Sequence, residues 1–108
     1  MPQVILLSKA EGELESQLEY LSRRSPQGAR NWAAAYRSAV DRISKDPESC
    51  GFAPENEDHE QKIRQAIFKT RTGNAYRIIF TTNEANVYIF SIRGLGQDLG
   101  NFQDIVLP

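Results

Sequence analysis

The sequence predicts an α+β domain with elements in the order β-α-α-β-β-β, and three observations lead there. An apolar run, Val4 to Leu7, stands near the start of the chain. Two apolar stripes at three- and four-residue intervals then occupy the stretch from Ser8 to Asp46, the period of helices buried on one side. Last come three runs rich in β-branched and aromatic residues, Ile63 to Thr70, Ala75 to Thr82 and Val87 to Ile92. Gly73 and Asn74 part the first two, and Asn83 and Asn86 the last two. Such runs divided by turn formers read as a β-meander.

Each element has its own signature. Val4 to Leu7 is short and starts on a β-branched residue, so it reads as a buried strand. Ser8 and Glu11 have the spacing of a capping box, and Glu11, Glu13 and Glu15 suit the positive end of a helix dipole. Ala10, Leu14, Leu18 and Leu21 form a narrow stripe with Arg23 and Arg24 at the negative end, which places the first helix over Lys9 to Arg23. Ser25-Pro26 opens the second, with Ser as cap and Pro at the first helical position. Its apolar face is Ala29, Trp32, Ala33, Tyr36, Val40 and Ile43, and it ends at Asp46-Pro47. Helices joined by so short a link form an antiparallel hairpin. At this periodicity Trp32 and Tyr36 belong to the core rather than to a stacking platform for bases.

The stretch from Asp46 to Gln61 carries Asp46, Glu48, Glu55, Glu57, Asp58 and Glu60, with Pro47, Gly51 and Pro54 as breakers. It reads as a solvated surface loop that includes His59, and its carboxylates follow no metal-ligand spacing. The same loop can lie across the basic strands as an internal counter-charge. Beyond Gly94 the chain is Gly-rich and closes on Ile105-Val106-Leu107, read as an added edge strand or a contact to a neighbour.

Length and composition set the bounds. The 108 residues suit a single domain over 1–108, and 40% hydrophobic with 25% charged content is ordinary for a globular protein. No apolar run is long enough to span a bilayer or to form a secretory leader, so a cytoplasmic location is expected. Cys50 is the sole cysteine, which excludes an intrachain disulfide and a cysteine metal cluster. Neither metal nor cofactor is implied. With a net charge of -1, any contact with nucleic acid must come from a local patch.

Such a patch exists. Between Ile63 and Gly94 the cations Arg64, Lys69, Arg71, Arg77 and Arg93 stand against one acid, Glu84, for a local charge of +4 (five minus one). Strand side chains alternate between faces, so one face of the meander can bury apolar groups while the other presents cations to an anionic surface. The register decides which cations share a face. A five-residue turn over Arg71 to Ala75 sets Lys69 opposite Arg77, and a turn one residue shorter sends the two to opposite faces. The sequence leaves both open.

In this order and length, Ile63-Arg64-Gln65, Tyr76-Arg77-Ile78-Ile79-Phe80 and the spacing to Val87 to Ile92 resemble the RelE/ParE superfamily of toxins from type II toxin-antitoxin (plasmid-stabilisation) systems. The likeness runs to Gly94. It implies a helical hairpin packed on one face of a curved antiparallel sheet, and a cognate antitoxin peptide as partner. It also implies one of two targets, DNA gyrase for ParE-like members or messenger RNA in the ribosome for RelE-like ones. In the RNA-cleaving branch Lys69, Arg71 and Arg77 match the catalytic positions, with cations stabilising the charge gained by the phosphate in transit. Lys69 is then the candidate base, since Arg stays protonated.

For contact with a target or antitoxin the set widens to Arg64, Lys69, Arg71, Arg77 and Arg93, where an acidic amphipathic peptide suits the charge. The nuclease branch usually carries further basic residues and an aromatic one after the last strand. Here Arg93 is the last cation and Phe102 the only later aromatic. The resemblance therefore points first to a ParE-like growth inhibitor acting on gyrase. A RelE-like mRNA endonuclease, or a non-toxic binding module with this fold, is the alternative.

Overall fold

The computed structural model describes residues 3–58, 62–71, 73–83 and 85–94, with the backbone alone at 57 and 58. His59, Phe102 and Ile105-Val106-Leu107 lie outside the described residues. Strand β1 (Gln3–Leu6) leads into helices α1 (Ser8–Arg24) and α2 (Pro26–Lys45). Two 3-10 turns, Pro47–Ser49 and Pro54–Asp58, precede the meander of β2 (Arg64–Lys69), β3 (Ala75–Thr82) and β4 (Asn86–Gly94). The sheet order is β1-β4-β3-β2. The meander is antiparallel, and β1 joins it parallel to β4. A parallel pair needs a long connection, which the helices and the first two meander strands supply.

The helix boundaries follow their caps, with one correction. Ser25 caps α2, its hydroxyl accepting the Gly28 N–H at 3.0 Å. Ser8 does not cap α1. It is already helical, Leu7 takes the cap position with extended backbone, and no side chain bonds there. The Glu11 N–H instead donates to the Leu7 carbonyl at 3.0 Å, so the capping box expected from Ser8 and Glu11 is absent.

On the helix side, Ala66, Phe68, Ile78, Phe80, Val87, Ile89 and Ile92 meet Ala10, Trp32, Tyr36, Ala39 and Ile43. Leu14, Leu18 and Leu21 close the margin half-buried. Trp32 and Tyr36 are core, as their period requires. Their rings stack at 5.8 Å, and Phe68 and Tyr76 meet Trp32 edge-on at 5.4 and 5.5 Å. Gln17 donates to the Tyr76 hydroxyl at 2.7 Å. Fully burying one large apolar side chain such as Phe80 stabilises by about 1.5–3 kcal/mol.

A bulge adjusts the sheet to this layer. Ile79 pairs with Ser91 but Phe80 with Ile89, so β4 holds one extra residue, Phe90. The extra residue brings Ile92 to the helix side beside Val87 and Ile89. Glu13 of α1 then accepts from the Ser91 hydroxyl at 2.8 Å and from the Ile92 N–H at 3.3 Å, satisfying backbone that the bulge detaches from the ladder.

The opposite side of the sheet is also buried. Ile63, Ile79, Tyr88 and Phe90 cluster there with Ala53 from the inter-element loop, and Ile5 and Leu7 pack against them. The central strands are therefore apolar on both faces, which accounts for their near-continuous hydrophobic runs. The loop expected to be wholly solvated is in part a strap. Cys50 and Ala53 are buried, the Ala53 N–H donates to the Ile63 carbonyl at 2.9 Å, and Asn56 Oδ1 accepts the Ile63 N–H at 2.6 Å.

Two measurements follow from the caps and the core. Ser25→Ala should cost about 1 kcal/mol in urea unfolding, whereas Ser8→Ala should change stability by only a few tenths, about 0.3 kcal/mol; equal losses would restore a capping role to Ser8. Burial pushes the Tyr36 phenol above its ordinary value of 10.0. The unfolded chain then ionises first, so stability held below that value is lost as pH rises through the folded one. Tyr36→Phe should flatten this alkaline fall in the urea midpoint, and an unchanged slope would assign it to other groups.

Candidate functional site

The registers fix where the cations stand. Lys69 pairs with Ala75 and Ile67 with Arg77. The connection is a five-residue loop, Thr70 to Asn74, displaced by one residue from the Arg71 to Ala75 turn considered above. That displacement slides the pairing by two residues, which preserves faces, so Lys69 and Arg77 share a side of the sheet. Arg93 is directly opposite Arg77 in the β3–β4 ladder and joins them. Arg71 follows in the exposed loop.

Arg64 is on the other side by parity with Ala66 and Phe68. Its guanidinium donates to the Cys50 carbonyl at 2.6 Å and stacks over the Phe52 ring at 4.4 Å. The backbone places it there, since Phe52 bridges to Arg64 and adds a short rung to the free edge of β2.

Arg77 is the centre of the arrangement. Its side chain is 4% exposed and that of Glu55 is 3% exposed. Two parallel bonds join them, Nη1 to Oε1 at 2.7 Å and Nη2 to Oε2 at 2.6 Å, and Gln65 Oε1 accepts a third from Nη1 at 3.2 Å. Bidentate geometry of this kind is the strongest form of the interaction. Arg77 facing Arg93 across a ladder would repel it, and the Glu55 carboxylate removes that charge. The internal counter-charge considered for the acidic loop is thus realised at one residue.

The five cations therefore fall into four situations. Arg77 is buried and neutralised by Glu55, and Arg64 is committed to Cys50 and Phe52 on the helix side. Arg93 is half-buried beside Arg77. Lys69 and Arg71 are exposed at the β2–β3 tip, where they make no hydrogen bond or ion pair with any described residue. The neutral Arg77–Glu55 pair presents no net charge to Lys69. Of the residues proposed as catalytic, the structure brings Lys69 and Arg71 to one exposed corner and withdraws Arg77 beneath the strap.

Three participants had no distinguishing signal in the sequence. Glu55 is one acid among several in its loop. Gln65 becomes a neighbour of Arg77 only through the observed register, as the diagonal position on one face. Arg42 reaches from α2 to the Ile67 carbonyl at 3.2 Å. Among the described residues no helix is long and apolar enough to cross a membrane.

No family model matches the chain, and no curated protein matches it in sequence. The fold is similar to that of a chain from the chromosomal ParDE TA system from P. aeruginosa, with a TM-score of 0.62 at 12% identity over 87% of this chain and 96% of that one. A likeness at this identity establishes the architecture.

The buried pair makes a direct prediction. Arg77→Met or Glu55→Gln alone should cost about 3–5 kcal/mol in denaturant unfolding, because each leaves a buried partner unmatched. The double variant Arg77→Met with Glu55→Met should lose much less than the sum. Additive losses would mean that the two side chains do not depend on each other.

Proposed function

We propose that the chain is the toxin component of a type II toxin-antitoxin system in the RelE/ParE superfamily. On this reading it is a ParE-like growth inhibitor that acts on DNA gyrase by contact and is held in check by a cognate antitoxin peptide. The fold shared with a chain of a ParDE system supports the superfamily, as do the Ile63-Arg64-Gln65 and Tyr76 to Phe80 motifs.

The observation that carries contact over nuclease chemistry is the engagement of Arg77 by Glu55. Phosphoryl transfer to a ribose 2′-hydroxyl needs cations preorganised around the charge that develops. A guanidinium already holding a carboxylate in two bonds under a strap supplies none of that stabilisation. Lys69 and Arg71 remain as exposed charges, suited to steering and gripping a macromolecular surface.

Inducible expression of the wild type beside Lys69→Ala and Arg71→Ala tests this reading, with growth, DNA breaks and message integrity followed together. We expect the wild type to arrest growth with accumulating DNA breaks and intact messages, and each exposed-cation variant to weaken the arrest. Cut messages in polysomes would transfer the assignment to the RelE-like branch. Harmless wild-type expression would leave a binding module with this fold. Arg77→Ala is a poorer probe, since the loss of stability expected on leaving Glu55 unmatched would be confounded with any loss of contact.

A further inference from the structure

The outer side of α1 carries two residues that the core of the protein does not use. Gly12 is exposed, and a Cβ added there would meet nothing within 4 Å. Glycine is the poorest helix former after proline, so a glycine in open space on a helix has no cause within the chain. Tyr20, about two turns on, is 52% exposed, more than Phe52 or Ile67.

Side chains four apart on a helix form ridges, with grooves between neighbouring rows. Gly12, Ser16, Tyr20 and Arg24 make one such row of α1, and Glu11, Glu15, Glu19 and Arg23 make the next. An open groove of about 430 Å³ lies between them, with Ser16, Tyr20 and Arg24 on one side and Glu19 and Arg23 on the other. The first row is tall at its end, where the Arg24 guanidinium stacks over the Tyr20 ring at 5.3 Å and donates to its hydroxyl. It is low at its start, where Gly12 has no side chain.

We infer that α1 is a self-association surface, pairing antiparallel with α1 of a second copy about a two-fold axis beside Ser16. That axis lays the Tyr20 ring of each copy over Gly12 of the other, so the tall end of one row fills the low end of its mate. Rows of this kind interdigitate with the helices crossing at about −50°. Charge selects a second copy as the occupant. Beyond Lys9 the exposed charges of α1 are Glu11, Glu15 and Glu19, followed by Arg23 and Arg24. Antiparallel pairing sets the basic end of each helix beside the acidic start of the other, and parallel pairing opposes like charges. Tyr and Arg are also the side chains on which interfaces most depend. The inference stands apart from the toxin reading.

The test is sedimentation of the purified full chain, alone, over a wide range of concentration. We expect a monomer–dimer equilibrium. Tyr20→Ala should weaken the dimer about tenfold or more. Gly12→Leu puts a better helix former into open space, so it should abolish the dimer and leave the monomer folded by circular dichroism. Arg24→Glu should part the copies, and Arg24→Glu with Glu11→Arg in the same chain should rejoin them. Under mild oxidation Ser16→Cys should crosslink two copies, whereas Ser38→Cys, exposed on α2, should not.

A chain that stays monomeric at every concentration overturns the inference. So does a dimer indifferent to Gly12→Leu and Tyr20→Ala, which must form through another face. Should Gly12→Leu not fold, the charge exchange decides, and a dimer that Arg24→Glu breaks but Glu11→Arg does not restore overturns the antiparallel order. A monomeric chain that arrests growth removes the α1 contact and leaves the toxin reading standing. A harmless chain that dimerises through α1 does the opposite.

Discussion

A guanidinium in the middle of a strand buried on both faces is the constraint around which this fold is arranged. Moving an ion of that size out of water costs several kcal/mol even after relaxation, and only a matched, well-bonded partner offsets it. Arg77 lies between Tyr76 and Ile78 on β3, the strand flanked by β2 and β4, so the partner must come from outside the sheet. The strap supplies it. Ala53 and Asn56 bind the backbone of Ile63, and Glu55 between them is thereby aimed at Arg77. A loop that carries breakers and little hydrophobic content is thus held over the sheet by backbone bonds to its edge together with one ion pair.

That single pairing redistributes the electrostatics of the domain. The +4 of the meander is a property of the sequence, but its accessible part is smaller and lies elsewhere. Glu55 cancels Arg77 at the centre, Arg64 is spent on a carbonyl and an aromatic ring, and Arg93 is half-buried. What faces solvent is Lys69 and Arg71 at one tip, with Arg42 arriving from α2 along the same edge. The charge has moved from the face of the sheet to its rim.

Much of the architecture was legible beforehand because local chemistry and packing agree. Ser25-Pro26 specifies a helix start in two independent ways, and both operate. Trp32 and Tyr36 are core because their spacing admits little else. The capping box at Ser8 failed for a reason of the same kind. Leu7 continues the extended backbone of β1 up to the helix, so the boundary falls one residue before the serine and no side-chain oxygen is in place. The site was less legible. Alternation along β2 puts Arg64 and Lys69 on opposite sides whatever the register, but whether Lys69 shares a side with Arg77 was settled only by the observed pairing, which the two turn lengths left open. Glu55 became distinctive only when the strap was seen to lie over Arg77, since nothing in its spacing separates it from its acidic neighbours.

The same reasoning bears on how one architecture can serve unlike ends. A cation on the central strand of such a sheet is available for chemistry if nothing covers it, and becomes part of the core if a carboxylate does. In this chain the acid is present and the pair is bidentate, so the central cation is committed to the interior and losing either partner alone is costly. The cations that stay in reach of solvent, Lys69, Arg71 and Arg42, are at the periphery. The division follows from dielectric cost: charges that must remain usable are kept where water can solvate them until a partner arrives, and a charge that cannot be solvated is given a permanent one.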